Sequence, residues 1–268
     1  MKIITEISEI HHILLQIANE FDKICLKYSI PYYMLGGTML GAIRHQGFIP
    51  WDDDMDFGVP RPYYEKMIAV LEKELPKVYR CCTFENTEGC TTPFVKIADM
   101  RTVIDDPRVR VPLEEQIGVN IDIFPLDNCK GDGLHLKMLR MIGLINRWIY
   151  VGNAEGNKWK NILKRIASMV FPISLKQLLR LREIIAKKIP QGDCLANSYG
   201  RYGAKEIVPL QWYGKNCHYK FEDIELCGIE NYDAYLKQLY GDYRQMPPEN
   251  ERIAHVSGIY MRDNSYYD

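Results

Sequence analysis

Between Trp51 and Val59 the chain reads Asp52-Asp53-Asp54-Met55-Asp56-Phe57-Gly58, and from Asp54 onward acidic or small residues alternate with apolar ones. In an extended strand, side chains two apart leave the same face, so Asp54, Asp56 and Gly58 face one way and Met55, Phe57 and Val59 the other. Two carboxylates side by side repel each other unless positive charge lies between them. Such a strand needs an apolar layer behind it and a polar cleft in front, which excludes a strand buried on both faces.

The flanking sequence supplies a frame for that cleft. Tyr32 to Leu35 reads as a short strand, broken by Gly36-Gly37, and Thr38 opens a helix running to about His45. Glycines between a strand and a helix let backbone N–H groups approach a phosphate, and the helix N-terminus favours an anion. A helix over about 62–75 and a hairpin over 93–105 are expected next. Val119 to Phe124 then alternates with Asp122 on the face opposite Val119, Ile121 and Ile123, and Pro125 is expected to end the strand. Asp122 on an apolar strand is costly unless partnered. So is Lys96, in the otherwise apolar segment Phe94 to Ala98; it suits either a phosphate contact or a snorkelling edge position. Arg44 suits either a phosphate contact or a surface ion pair. Trp51 suits stacking on a base or a cation, or loop packing. Tyr240, Asp242 and Tyr243 suit a pocket for a cation or a second substrate, or a cap on a helix over about 231–240. At the N-terminus Ile7, Ile10, Leu14, Ile17, Phe21, Ile24 and Tyr28 form one helical stripe, with Thr5 or Ser8 as its expected cap. A single strand candidate covers 219–227.

Charge divides the chain unevenly. Residues 130–188 carry 13 lysines and arginines against three acids, Asp132, Glu155 and Glu183, although the formal net charge of all 268 residues is −1. That segment reads as three helices near 133–150, 157–170 and 174–188, either a solvated insertion or a subdomain facing something anionic. The expected organisation is a catalytic core over 1–129, a basic helical insertion over 130–190, and a C-terminal part over 191–268 that completes the core. A balanced overall charge gives no argument for nucleic acid. Eight cysteines without C-x-x-C spacing, no secretory leader and no long uncharged apolar run predict a cytoplasmic protein.

The run from Leu35-Gly36-Gly37-Thr38-Met39-Leu40-Gly41 through Pro50-Trp51-Asp52-Asp53-Asp54-Met55-Asp56 closely resembles the LicD family of phosphotransferases, as do Asp122-Ile123-Phe124-Pro125-Leu126-Asp127 and Leu239-Tyr240-Gly241-Asp242-Tyr243. The resemblance spans residues 30 to about 255 and is weakest across the basic segment. Phe221-Glu222-Asp223 departs from the Phe-Glu-Gly common in relatives. That family includes bacterial phosphocholine transferases and the animal fukutin-related proteins.

The resemblance implies an α/β (α+β) nucleotidyltransferase fold, a mixed sheet flanked by helices with a basic helical insertion. It places metal ligands and catalytic groups on Asp54, Asp56 and Asp122, and donor binding on Gly36, Gly37 and Thr38, with Arg44 and Lys96 as the candidate cations. It implies Mg²⁺, with Mn²⁺ as the alternative. The implied reaction moves phosphocholine or a similar group from CDP-choline or another CDP-linked donor to a hydroxyl of a cell-surface glycan, such as lipopolysaccharide, teichoic acid or capsule, free or lipid-linked. Peripheral contact with anionic lipid at the inner membrane face would suit the basic segment. Two rival readings remain: a nucleotide-sugar glycosyltransferase, which also uses D-x-D to hold a metal, and a non-catalytic nucleotide-binding module.

Overall fold

The computed structural model describes residues 1–106, 109, 111–149, 173–252 and 258–263. The expected helix at 157–170 and His255 lie outside the described residues. The N-terminal stripe becomes α1 (Ile7–Lys27), which buries Ile10, Leu14, Ile17, Phe21 and Ile24. Neither Thr5 nor Ser8 caps it; the cap position is Glu6, whose side chain makes no capping bond.

The central sheet runs β2 (Tyr33–Met34), β3 (Asp56–Pro60), β7 (Asn120–Cys129), β5 (Val95–Asp99), β4 (Tyr79–Cys82). β3 and β7 are parallel, while β2 on β3, β5 on β7 and β4 on β5 are antiparallel. This is the mixed α/β sheet expected. α3 (Arg61–Glu74) follows β3 directly, with Pro62 in its first turn, where a missing N–H costs nothing. One face of the sheet is closed by α1 and α3, and Phe57, Ile121 and Ile123 are fully buried there. The Phe57 ring lies 5.3 Å from that of Phe21 and 5.7 Å from that of Tyr32. Tyr64 of α3 bridges two strands: its hydroxyl donates to the Ile123 carbonyl at 2.7 Å and accepts from Val95 N–H at 2.9 Å.

Three local expectations are corrected. β7 does not stop at Pro125 but continues to Cys129. On one edge it pairs with β5 through Ile123 and then, from Leu126, with β8 (Cys194–Asn197), so Pro125 falls between two partners. Residues 93–105 are not a hairpin. The chain turns at Asp99, but β5 stays in the central sheet while β6 (Thr102–Ile104) pairs with β12 (Ile259–Met261), which also holds β1 (Lys2–Ile3). The strand candidate at 219–227 is two strands, β10 (Cys217–Phe221) and β11 (Ile224–Gly228), joined by a turn in which Glu222 has φ of 54°.

Within the basic segment, α4 (Leu134–Ile149) packs on α5 (Leu175–Ala186). Ser174 and Gln177 form a capping box at the start of α5. Leu136, Leu139, Ile142, Leu178 and Ile185 form a small core separate from the main one. One buried ion network ties this layer to the sheet. Arg61 donates to both oxygens of Asp127 at 2.7 and 3.1 Å, and to Glu183 of α5 at 2.8 Å. β9 (Ile207–Pro209) extends the sheet beyond β8, and α6 (Leu210–Tyr213) leads to the β10–β11 hairpin. α7 (Tyr232–Tyr240) then packs against α2 (Gly36–His45).

Because Phe57 anchors the sheet to α1, Phe57→Ala is expected to cost about 3–5 kcal/mol, read as a lower midpoint in urea-induced unfolding. A loss near zero would mean that this strand does not form the centre of the core.

Candidate active site

The polar face of the sheet opens into a cavity of about 1180 Å³. Its floor follows from strand register. Asp56 of β3 stands opposite Asp122 of β7, and Asp122 stands opposite Lys96 of β5. Three charged side chains therefore form one row across three strands. The Lys96 ammonium donates to Asp122 Oδ1 and, at 3.0 Å, to Asn120 Oδ1. Burial lowers its proton affinity, but the adjacent Asp122 raises it by more, so Lys96 stays charged.

Asp54 reaches the cavity differently from its expected place. The strand begins only at Asp56, and Asp54 enters from the preceding loop, open to the cavity. That loop is fixed by His11, whose Nε2–H donates to the Asp52 carbonyl at 2.7 Å while its ring stacks on Phe48. The loop also brings in Asp52, a cavity-lining acid that the two-residue spacing gave no reason to select. Burial, then the charges of Asp54 and Asp53, push Asp52 up to about 7. Burial, then Asp122 and Asp53, push Asp54 up to about 6. Burial, then Asp54 and Asp122, drive Asp56 well above the ordinary carboxylate range.

The glycine turn forms the adjacent wall. α2 starts at Gly36, two residues earlier than the sequence suggests, and Gly36 has φ of +48°, a left-handed value that favours glycine. A Cβ on Gly37 would lie 2.7 Å from Asp52 Oδ2, so the turn approaches that carboxyl closely. The Gly36 N–H is taken by the Tyr235 hydroxyl at 2.9 Å. Thr38 does not line the cavity with the glycines. It is buried, and its hydroxyl accepts the Asp56 N–H at 2.8 Å, so it holds the row from below. Lys96 also lies below the lining, behind Asp122.

Arg44 lines the cavity, but its guanidinium already donates to the Tyr243 carbonyl at 3.1 Å and to His45 Nε2 at 2.9 Å. Trp51 lines the rim beneath Arg252, whose Cζ is 5.5 Å from the ring. Tyr240, Asp242 and Tyr243 all face the cavity. The Tyr240 ring meets Tyr202 edge-on at 5.3 Å, and the neighbouring Glu206 carboxyl is lifted by burial to about 7. Arg182 and Tyr199 complete the helical side of the cavity, and no sequence signal separated them from an ordinary amphipathic helix and loop.

Among the described residues, no three His, Cys, Asp or Glu side chains close a metal cage by themselves. Asp54, Asp56 and Asp122 line one cavity, Asp122 paired with Lys96 and Asp54 entering from a loop. The donor set still fits a hard divalent ion. Several crowded carboxyls with raised proton affinity share one cleft, and Mg²⁺ takes one or two carboxylates with water and substrate phosphate oxygens rather than an all-protein cage.

A row of acids on a mixed sheet, beside a glycine turn that opens a helix, is a candidate site for a phosphate-bearing ligand and a divalent ion. Comparison with known proteins narrows this. Residues 29–139 match the nucleotidyltransferase domain of the LicD/FKTN/FKRP family. The chain is 30% identical over 253 residues to the lipopolysaccharide cholinephosphotransferase LicD of Haemophilus influenzae, covering 90% of this chain and 92% of that one. It is 46% identical over 46 residues to an uncharacterized protein of Rickettsia prowazekii, 17% of each chain. The chain belongs to the LicD family and is a LicD-type transferase.

The raised acids carry a stability consequence. A carboxyl that holds its proton more tightly folded than unfolded contributes stability at low pH, and that contribution is lost as pH rises from about 4 through 6–7. Asp54→Asn is therefore expected to raise the melting temperature in EDTA, by more at pH 8 than at pH 5. Thermal melts at the two values check it, and a larger gain at pH 5 would contradict the assigned repulsion.

Proposed function

We propose that this protein transfers phosphocholine from CDP-choline to a hydroxyl of a cell-surface glycan, releasing CMP, with a divalent ion, Mg²⁺ before Mn²⁺, as cofactor. The observation that carries this reading is the Asp56–Asp122–Lys96 row, with Asp54 beside it and the Gly36–Gly37 turn at its edge. The family relationship supports it, since the Haemophilus influenzae relative is a lipopolysaccharide cholinephosphotransferase.

Phosphoryl transfer demands positioning and charge neutralisation more than covalent help. Asp54, Asp56 and Asp122 would hold the ion, which would supply positive charge to neutralise the diphosphate and the leaving phosphate. The remaining work falls to the chain. Gly36 and Gly37 let the donor approach the backbone. The attacking hydroxyl forms a bond to the choline-side phosphorus as the bond to CMP breaks, and Asp122 Oδ2 accepts the hydroxyl proton while Lys96 keeps Oδ1 in place. Tyr240, Tyr202 and the Glu206 carboxyl offer an aromatic and acidic corner for the quaternary ammonium.

Offered CDP-choline, CDP-ribitol, CDP-glycerol and a UDP-sugar with Mg²⁺, the protein is expected to release CMP from CDP-choline fastest. Asp56→Ala is expected to lower turnover at least about 100-fold, as loss of a transition-state interaction does, while leaving the fold intact by circular dichroism. UDP release without CMP would instead mark a nucleotide-sugar transferase, and near-normal turnover of Asp56→Ala would remove the row from the chemistry.

We further infer a peripheral site of action at the inner membrane face, because no helix among the described residues is long and apolar enough to cross a membrane while α4 and α5 carry basic side chains beside exposed Met141, Leu144 and Ile184. Sedimentation with phosphatidylglycerol vesicles is expected to exceed that with phosphatidylcholine vesicles and to fade with salt; equal sedimentation would exclude it.

A further inference from the structure

Arg182 is the one cavity-lining cation whose burial the reaction does not account for. It sits on α5, is 6% exposed, and still lines the cavity. Its guanidinium Cζ lies 4.5 Å from the centre of the Tyr199 ring. Its Nε is buried without a hydrogen-bond partner among the described residues. The adjacent carboxylate, Glu183, is committed to Arg61 and to the Tyr199 hydroxyl. A buried guanidinium without a counter-ion bears its desolvation cost unrelieved, and burial depresses its proton affinity accordingly.

The space in front of the guanidinium is kept open. Gly143 of α4 faces it, and a Cβ there would lie 3.2 Å from Nη2 and 3.7 Å from Nη1. A glycine in a helix interior is less favourable than alanine, so this position gives up helix stability to leave the guanidinium uncrowded. Arg140, paired with Asp132 at 2.5 Å, and the exposed Arg201 line the same side of the cavity. The charges of Tyr199 and Glu183 bear on Arg182, and none of the five cavity aspartates does. The helical wall is thus basic, opposite in charge to the acidic floor.

We propose that Arg182 anchors an anionic group, a phosphate or a carboxylate, carried by the acceptor sugar. The assignment to the acceptor rests on the reading of the cavity as a transfer site. A donor diphosphate belongs with the glycine turn and the acids on the sheet, which leaves the helical wall to the second substrate. A guanidinium fork matches either oxyanion with two parallel hydrogen bonds, and its Nε and Nη atoms are the free donors here. The acceptor is accordingly an acidic glycan, and Arg182 is a specificity-determining residue.

Calorimetric titration of the full chain with glucose 6-phosphate, glucuronate and glucose tests this, with CDP plus Mg²⁺ as the donor-side probe. The wild-type protein is expected to bind one of the anionic sugars at least tenfold more tightly than glucose, and the tighter of the two identifies the group. Arg182→Gln is expected to abolish that preference and leave CDP binding unchanged. Gly143→Leu fills the space before the guanidinium with a better helix former, so it should do the same even where Arg182→Gln fails to fold. The proposal is overturned if glucose binds as well as the anionic sugars, if the preference survives Gly143→Leu, or if CDP binding falls with either variant. None of these measurements depends on which donor turns over, so a failed donor screen and a failed anion preference remain separate results.

Discussion

The molecule is organised around a repulsion. Parallel pairing of β3 and β7 sets Asp56 directly opposite Asp122, and the loop before β3 adds Asp54 and Asp52. A pair of like charges side by side across strands is unfavourable in any ordinary sheet. The fold tolerates it through three devices. Lys96 lies in the same row, burial raises the proton affinity of Asp52, Asp54 and Asp56, and the cleft admits solvent to Asp54. The stiff apolar face behind the row, with Phe57 against Phe21 and Tyr32, prevents the strands from separating to relieve the strain. Charge stored in this way favours a cation at the cleft.

Support for the row comes from parts of the chain far apart in sequence. Thr38 fixes the Asp56 backbone, Tyr235 fixes the start of α2, and His11 fixes the loop that carries Asp52. Each contact satisfies a backbone group that would otherwise be left unpaired near the cavity, so rigidity and hydrogen-bond completeness are achieved together. The close approach of Gly37 to Asp52 makes the glycine turn and the acidic loop one unit.

Much of this was legible in the sequence because it is local. Alternation at Asp54–Val59 and Val119–Phe124 names the acids and the buried faces without any knowledge of pairing. A lysine in an apolar strand announces that it has a partner, and Asp122 is that partner. What could not be read is pairing at a distance. Residues 93–105 have the pattern of a hairpin, yet the turn at Asp99 sends its two arms to different sheets, a choice made by β7 and β12. Pro125 reads as a strand end, and only the change of partner from β5 to β8 lets the strand pass through it. Asp52 looks like one acid of a triplet until His11 and Gly37 close around it. Arg182 looks like any arginine on a basic amphipathic helix, because burial of the guanidinium depends on Tyr199 and on the gap at Gly143.

The Arg61 network has a further consequence. One guanidinium at the start of α3 grips Asp127 on the strand that carries the acids and Glu183 on the helix that carries Arg182. Ser198 and Tyr199 join the same two carboxylates from the loop after β8. The distance between the acidic floor and the helical wall is therefore set by this polar knot together with the apolar cluster that packs Cys129 and Ala196 of the sheet against Leu136, Leu178 and Ile185. Helices α4 and α5 can diverge in every outward side chain without disturbing that spacing. The helical wall can thus change its outward chemistry while the register of Asp56 against Asp122 stays as it was.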